Sequence, residues 1–403
     1  MPSQKPNRAP LDRELAAELA RIAERGLSRR LRRIDGPQTA EVVLEGRTVL
    51  LLCSNNYLGL AGHPDLIAAA ADATSRLGTS AVSSRLVSGH MSAHQELEDR
   101  LAGWKRQERA LLFSTGYQAN IGVVSTLAGL GDVVISDELN HASIIDGCRL
   151  SRAEVLVYRH NDMDELADRL TRARGARRVL VVTEAVFSMD GDRAPLAEIT
   201  ELAKAHRAWL KVDEAHSAGV FGPRGAGLAA ALGLEREIDI HMGTLGKALG
   251  SFGAYVAGPA ELVDTLINKA RSFIFTTGLP PSAAAAAMAA LDVIEREPER
   301  ATGLLERAGR LGRSLRSEGL VVGHLDSQIL PVMVGEPELA VALADELLER
   351  GLYVAAIRPP TVPEGSSRLR LSLMATHSDE QIELAGREIA AAARRLGVAK
   401  KAA

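Results

Sequence analysis

The sequence contains very little cysteine. Cys53 and Cys148 are the only two cysteines among 403 residues, and they form no CxxC pair. Two distant cysteines argue against a disulfide framework and against a structural zinc site, and they fit a reducing cytosol. We therefore expect a cytoplasmic protein that binds no metal.

A surplus of either charge is also absent, and so is a long apolar run. Lys and Arg together number 48 and Asp and Glu 51, and the resulting formal charge of −3 argues against a nucleic-acid partner. The arginine-dense residues 29–33 are expected to form the solvated face of a helix. Residues 1–10 contain no signal-peptide core, and the most apolar run, residues 282–294, is too short to span a bilayer. We expect neither a nucleic-acid nor a membrane partner.

Apolar strand patterns alternate with helical patterns through the middle of the chain. Helical spacing of apolar residues is clear at residues 164–173 and 195–206. Predicted strands cover residues 110–113, 133–136, 155–158, 179–183, 210–212, 238–241 and 254–257. Such alternation predicts an α/β fold with a mainly parallel seven-stranded sheet between helices.

The two ends of the chain have a different pattern. Residues 11–34 predict an amphipathic helix, and residues 41–52 predict a hairpin that turns at Glu45-Gly46. Beyond Pro298 the pattern predicts a smaller α/β unit with helices at 300–318 and 338–350 and strands at 329–334, 353–357 and 368–373. We expect an N-terminal segment, a large domain and a small C-terminal domain, formed by residues 1–58, 59–288 and 289–403.

Polar residues follow several of the predicted strands, where ligands bind in open parallel sheets. In "LLFSTGYQAN", Gly116 begins a predicted helix and lets backbone amides approach an anion, although an ordinary strand-to-helix turn is the alternative. In "LKVDEAHSAGVFG", Asp213 ends a strand and His216 follows three residues later. A catalytic dyad, a metal pair or a cofactor anchor would give that buried carboxylate a partner. The alternative is that Asp213 caps a helix and His216 is a structural histidine.

The stretch "HMGTLGKALGSFG" places Lys247 among glycines directly after a predicted strand. A phosphate-binding P-loop requires glycine five residues before the Gly-Lys pair and Ser or Thr after the lysine, and His241 and Ala248 occupy these positions. A buried lysine in such a turn can instead have a lowered pKa, as Schiff-base chemistry requires. An anion cradle, a strand-end acid and a reactive lysine together indicate pyridoxal phosphate (PLP).

The sequence resembles the α-oxoamine synthases, PLP-dependent enzymes of fold type I that condense an amino acid with an acyl thioester and release carbon dioxide. The resemblance covers residues 40–390. It is carried by the motifs "SNNYLGL" (54–60), "SRLVSG" (84–89), "STGYQAN" (114–120), "NHASIIDG" (140–147), "TEAVFSMDGD" (183–192), "VDEAHSAGVFG" (212–222), "GTLGKALGSFG" (243–253) and "IRPPTVPEGSSRLRLSL" (357–373).

The resemblance implies a role for each matching residue. Lys247 would bond covalently to the cofactor and act as the base, and Asp213 would pair with the ring nitrogen. Other cofactor contacts would come from His216 and Ser188 at the phenolic oxygen, His141 on the ring face, Gly116, Tyr117 and Thr244 at the phosphate, and Glu184 beside the pocket. Of these residues, Lys247, His141, Asp213 and His216 would be catalytic.

The resemblance further implies substrate contacts and a homodimer with shared active sites. Thr277 would reach the phosphate held by the partner subunit. Arg370 would bind the substrate carboxylate, and the other substrate contacts would come from Asn55, Tyr57, Arg358 and Thr361. Arg368 and Arg370 lie two apart on a predicted strand and point to the same face, so either could be a surface cation, and only the motif favours Arg370. Tyr117 could be an ordinary core aromatic.

The motifs "HASIIDG" and "RPPTVP" most resemble the family branch of biotin biosynthesis, which joins L-alanine to a pimeloyl thioester of coenzyme A or a carrier protein. Alternatives within the family join glycine to acetyl-CoA or serine to a long acyl chain. An aminotransferase and an inactive PLP-fold partner subunit are rivals from other classes, and an inactive subunit would be expected to lack the lysine or the aspartate. Residues 79–84 are bulkier than the glycine-rich family pattern, which leaves the acyl donor open.

Overall fold

The computed structural model describes residues 9–399, so residues 1–8 and 400–403 of the predicted terminal segments lie outside the described residues. The described chain contains two short 3₁₀ helices, Leu60–Gly62 and Pro223–Gly225. Its α-helices are α1 Ala9–Glu24, α2 Pro64–Leu77, α3 Ser92–Lys105, α4 Gly116–Leu127, α5 Ala142–Ser151, α6 Met163–Arg172, α7 Leu196–Ala205, α8 Leu228–Ala231, α9 Ala260–Lys269, α10 Arg271–Ile274, α11 Pro281–Arg296, α12 Glu299–Ser317, α13 Pro337–Glu349 and α14 Asp379–Arg395.

The strands of the described chain form three sheets. They are β1 Ile34–Asp35, β2 Glu41–Leu44, β3 Arg47–Leu51, β4 Arg109–Phe113, β5 Val133–Asp137, β6 Glu154–Tyr158, β7 Val179–Glu184, β8 Trp209–Asp213, β9 Ile240–Thr244, β10 Ala254–Gly258, β11 Ile329–Gly335, β12 Leu352–Tyr353, β13 Ala355–Ile357 and β14 Ser367–Ser372.

The largest sheet has the strand order β4-β10-β9-β8-β7-β5-β6. Only β10 runs antiparallel to its neighbours, which confirms the predicted mainly parallel seven-stranded sheet. The strand predicted at 238–241 begins later, at Ile240, because its ladder with β8 starts with the pair Lys211 and Ile240. It extends to Thr244 because Gly243 and Thr244 pair with β10.

Both faces of this sheet are covered by helices. On β7 the adjacent residues Val181 and Val182 are fully buried in different apolar clusters. Val182 packs in the cluster that contains Val123 and Val124 of α4, and Val181 packs in the cluster that contains Ile199 of α7. A strand buried on both faces has a continuous apolar sequence, which explains the pattern seen in the sequence.

The terminal regions differ from the sequence predictions in two places. The helix predicted over 11–34 ends at Glu24, and Gly26 follows with a positive φ of 65°, which favours glycine at the end of a helix. The strand predicted over 353–357 is divided into β12 and β13, because β12 pairs with β3 while β13 pairs with β14. The hairpin of β2 and β3 forms as predicted, with positive φ at Glu45 and Gly46.

The three-part domain division stays a prediction. The expected boundary between residues 288 and 289 falls inside the continuous helix α11. Among residues 9–399, none of the helices combines the length and the apolar character needed to span a bilayer. The carboxyl ends of β7, β8 and β9 meet at one edge of the large sheet, and the candidate site lies there.

Candidate active site

Two buried carboxylates end adjacent parallel strands. Glu184 of β7 and Asp213 of β8 are partners in the strand ladder. Asp213 accepts hydrogen bonds from Asn120 Nδ2 at 2.7 Å and from the Ala215 amide at 2.9 Å. Two amides therefore hold the Asp213 carboxylate in place. The described residues contain no cluster of three or more His, Cys, Asp or Glu side chains suited to a metal ion.

Glu184 lies in a less favourable environment for a negative charge. Burial raises the pKa of Glu184 to about 8, and the negative charge of Asp213 adds to this increase. The carboxylate of Glu184 accepts a 2.5 Å hydrogen bond from the His141 amide, which ties the start of α5 to the end of β7. The site therefore contains two carboxylates in different environments, side by side.

Lys247 lies in the tight turn that follows β9. The Gly250 amide donates to the Lys247 carbonyl at 3.0 Å, and Gly250 has a positive φ of 61°. A Cβ atom at Gly250 would lie 2.5 Å from the Ala61 amide nitrogen, so this turn requires glycine. Burial lowers the pKa of the Lys247 amine to about 8, against the opposing charges of Asp213 and Glu184.

The Lys247 amine begins a chain of polar contacts that leads to Arg370. Lys247 Nζ lies 2.7 Å from His216 Nε2, and His216 Nδ1 lies 2.6 Å from the Tyr57 hydroxyl. Tyr57 donates to Asn55 Oδ1 at 3.0 Å, and Arg370 donates to the same oxygen at 3.3 Å. Burial, followed by the charges of Lys247 and Arg370, lowers the pKa of His216 well below its ordinary value, which leaves this ring neutral at pH 7.

The structure distinguishes the two arginines of β14. Arg370 Nε donates to the Ser188 carbonyl at 2.5 Å, and its other nitrogens face Asn55 and Tyr57. Arg368 instead forms a salt bridge with Asp190. Arg370 is therefore the arginine of β14 that lies against the Lys247 chain of contacts.

The residues predicted at the phosphate lie at the start of α4 and the end of β9. Thr115 caps α4, and its side chain accepts from the Gln118 amide at 3.1 Å. A Cβ atom at Gly116 would lie 3.0 Å from Met242 Cε, so a larger residue would press on β9. Tyr117 is half-exposed and donates its hydroxyl hydrogen bond to Asp146, while Thr244 donates to the Gly253 carbonyl at 3.0 Å.

His141 is exposed at the N-terminal end of α5, where its ring accepts a hydrogen bond from the Ser143 amide. His141 therefore caps α5. Thr277 is also exposed, and its carbonyl accepts from the Ser114 hydroxyl at 3.1 Å. This bond places the Thr277 loop beside the start of α4.

Arg358 and Thr361 are not part of the Lys247 cluster. They line a separate cavity of about 580 Å³ together with Arg29, Arg30 and Arg32. The prediction that residues 29–33 form a helix face is wrong, because residues 25–33 are not helical. Instead, Arg358 donates to the Gly26 and Ser28 carbonyls in this segment. Ala355, which also lines the cavity, pairs with Arg370 across the β13–β14 ladder.

Sequence reasoning missed two buried amides of the site. Asn120 binds Asp213, and Gln328 Nε2 donates to the His216 carbonyl at 2.8 Å. The available signal for Asn120 was weak, because it is one of two side-chain amides, with Gln118, that precede the apolar stretch of α4. Gln328 lies just before β11 and has no local pattern that marks it.

Comparisons with known proteins agree on the family. A family model described as "Aminotransferase class I and II" matches residues 47–389. The 8-amino-7-oxononanoate synthase of Anaeromyxobacter dehalogenans (strain 2CP-1 / ATCC BAA-258) is 54% identical over 92% of each chain. A solved structure of serine palmitoyltransferase with PLP has a TM-score of 0.91 and 37% identity, and it covers 97% of this chain and 100% of its own. The 8-amino-7-oxononanoate synthase structure from Francisella tularensis has a TM-score of 0.75 and 28% identity over 86% of this chain and 98% of its own.

The fold and the strand-end site define the class as a fold-type I transferase of the PLP-dependent kind. The chain belongs to the α-oxoamine synthases within the class I and II aminotransferase family. Several of its curated relatives are 8-amino-7-oxononanoate synthases, whereas several similar solved structures are serine palmitoyltransferases.

Proposed function

We propose that this enzyme condenses L-alanine with a pimeloyl thioester to give 8-amino-7-oxononanoate, carbon dioxide and a free thiol in cytoplasmic biotin biosynthesis. The pimeloyl group is carried by coenzyme A or by an acyl carrier protein. The observation that carries the proposal is the chain of contacts from the Lys247 amine through His216 and Tyr57 to Arg370. It links a reactive amine to a cation suited to an amino-acid carboxylate.

The residues present fit PLP as the cofactor. The turn after β9 presents an amine whose pKa is lowered to about 8, as covalent attachment requires, and the carboxylate of Asp213 is available at the end of β8. The first amides of α4, at Gly116 and Tyr117, point out of a helix N-terminus, and Thr244 adds a hydroxyl for the phosphate. His141, His216, Ser188 and Glu184 would complete the cofactor contacts.

PLP would supply a carbonyl carbon for the bond to Lys247 and a ring that takes up electron density from the α-carbon of the amino acid. Arg370, aided by Asn55, orients the amino-acid carboxylate. Lys247 Nζ removes the α-proton and later returns a proton to the product. His216 holds Nζ in place as a neutral ring, so it does not compete as a second cation.

The arginine-lined cavity favours a dicarboxylic acyl group over a long alkyl chain. Arg29, Arg30, Arg32 and Arg358 line it, and it adjoins Arg370 through the β13–β14 ladder. A pimeloyl chain ends in a carboxylate that a guanidinium group of this cavity would bind, whereas a palmitoyl chain ends in a methyl group that offers these donors no acceptor. We assign Arg358 and Thr361 to this end of the acyl donor.

The second candidate is the condensation of serine with a long acyl thioester. It is favoured by the high similarity to serine palmitoyltransferase structures, which share 37–38% identity with this chain. A glycine and acetyl-CoA condensation is the remaining member of the same group. These reactions differ only in the two substrates, so turnover separates them directly.

We also propose a homodimer in which Thr277 contributes to the partner's phosphate site. The exposed position of Thr277 and the exposed apolar residues Val82, Val87 and Phe275 support an interface on this side of the chain. We also propose the division into residues 1–58, 59–288 and 289–403. In this division the N-terminal segment and the small C-terminal domain would enclose the substrates against the large domain.

The substrate proposal is tested by a turnover matrix with thiol release as the readout. Alanine, glycine and serine are each combined with pimeloyl, acetyl and palmitoyl thioesters. The proposal expects alanine with pimeloyl thioester to give the highest kcat/KM. An Arg358→Ala variant should lower kcat/KM for pimeloyl thioester about tenfold while acetyl thioester is affected less.

Serine with palmitoyl thioester as the preferred pair would replace the proposal with the second candidate. An equal loss for pimeloyl and acetyl thioesters in Arg358→Ala would contradict the assignment of the cavity. Arg207→Ala serves as the control, because Arg207 is an exposed arginine that follows α7 and lies apart from the cavity.

A further inference from the structure

His160 forms a charged cluster outside the Lys247 site. It follows β6, and its Nδ1 lies 3.0 Å from Asp137 Oδ1 while its Nε2 lies 2.7 Å from Asp192 Oδ2. Each ring nitrogen therefore faces a carboxylate oxygen. Both contacts are hydrogen bonds at once only when both nitrogens carry hydrogen, so this ring is an imidazolium.

The neighbouring groups reinforce this cluster. Asp137 and Asp192 are buried, and a buried pair of carboxylates needs a cation between them. Asn161 donates its amide to Asp137 at 3.0 Å and its side chain to Asp192 at 2.8 Å. Burial lowers the pKa of His160, but the hydrogen bonds and charges of Asp137 and Asp192 outweigh it and raise the pKa to about 10.

The cluster fixes one side of the turn formed by residues 187–192. The His160 and Phe187 rings are perpendicular to each other, with centroids 4.3 Å apart. The backbone carbonyl of Asp192 closes the turn by accepting a hydrogen bond from the Phe187 amide at 3.0 Å. The Gly191 amide donates back to the Phe187 carbonyl at 2.9 Å. The two ends of the turn are thus held by one histidine.

The same turn holds the arginines of β14. The Ser188 carbonyl accepts from Arg370 Nε, and Asp190 pairs with Arg368. The turn therefore lies between the His160 cluster and the guanidinium group that faces the Lys247 site. A shift of the turn on one side would move the acceptor of Arg370 on the other.

We propose that His160 is a positioning residue for Arg370, acting through the 187–192 turn, and that it thereby sets the affinity for the carboxylate of the amino-acid substrate. This inference rests on the proposed function insofar as Arg370 binds that carboxylate. His160 itself touches neither substrate nor cofactor.

The test compares His160→Ala with His160→Arg in the PLP-loaded enzyme. His160→Ala should raise KM for the amino acid about tenfold and leave KM for the thioester within about twofold, because only the carboxylate contact is displaced. His160→Arg restores a cation with several donors and should recover part of the lost affinity. His206→Ala, at a partly exposed histidine that ends α7, should change neither constant.

A second readout does not depend on turnover. The dissociation constant of the amino acid alone, measured from its effect on the absorption of the loaded enzyme, should rise in His160→Ala by the same factor as KM. Equal rises in both KM values, or an unchanged dissociation constant in a folded variant, would overturn the proposal. If His160→Ala does not fold, the comparison of His160→Gln with His160→Arg replaces it, since only the arginine keeps the charge.

The design separates failure of this inference from failure of the proposed function. If the wild-type enzyme prefers an amino acid other than alanine, the proposed substrate is wrong, and the same measurements are made with the preferred amino acid. The inference then fails if that amino acid binds His160→Ala with wild-type affinity, or if the KM values for the amino acid and the thioester rise equally.

Discussion

At the scale of single residues, the environment of Lys247 decides what its amine can do. Two influences act on the amine in opposite directions: burial disfavours its charged form, and the carboxylates of Asp213 and Glu184 favour it. Burial prevails, so the pKa of Lys247 falls to about 8. An amine with this pKa is partly neutral at physiological pH. A nucleophilic amine must be neutral, whereas an amine that binds phosphate by its charge must stay protonated.

This lowered pKa predicts how the apoenzyme takes up PLP with changing pH. Only the neutral amine attacks a carbonyl, so the association rate should rise with pH and level off above about pH 8. Stopped-flow absorption of apoenzyme mixed with PLP measures this rate. A rate that keeps rising toward pH 10, as for an ordinary lysine with a pKa of about 10.4, would contradict the assigned environment.

At the scale of structural elements, the 187–192 turn is a tightly constrained connection near the site. Gly191 has a positive φ of 68°, and a Cβ atom there would lie 2.2 Å from the Ile329 carbonyl oxygen of β11. This glycine is therefore required both for the turn and for the close approach of β11. The turn follows β7 in the chain and contacts β14 through the hydrogen bond from Arg370 to the Ser188 carbonyl.

Gly191→Ala should consequently lower the free energy of unfolding by about 3 kcal/mol, from backbone strain together with overpacking. Gly175→Ala is the matched control, because Gly175 also has a positive φ, of 95°, but its Cβ would have no atom within 4 Å. The control should lose only about 1 kcal/mol. Urea denaturation of the two variants measures both values, and equal losses would contradict the role given to the β11 contact.

The sequence predicts those elements whose patterns are local. The motifs after β8 and β9 predict that Asp213 and Lys247 lie at one edge of the sheet, because the carboxyl ends of parallel strands lie at the same edge. The path of residues 25–33 and the division between β12 and β13 were not predicted, because they depend on pairing with β3 and on contacts with Arg358. His160 was missed for the same reason, since both of its carboxylate partners are distant in sequence.

At the scale of the whole molecule, each complete site of the proposed homodimer would be built from two chains. Lys247 of one chain and Thr277 of its partner would then belong to the same site. Mixed dimers of Lys247→Ala and Thr277→Ala chains should therefore contain one intact site, while either variant alone has none. Activity in co-purified, differently tagged mixed dimers measures this complementation. Mixed dimers no more active than the Thr277→Ala parent would show that Thr277 serves its own chain.

In the proposed reaction the enzyme joins alanine to the acyl group and removes the carboxyl carbon of alanine. Alanine labelled with ¹³C in its carboxyl group, supplied with pimeloyl-CoA, tests this reaction by mass spectrometry of the released gas alongside thiol titration. Labelled carbon dioxide and free thiol are expected in equal amounts. Thiol release without labelled carbon dioxide, or a product that retains the label, would contradict the proposed reaction.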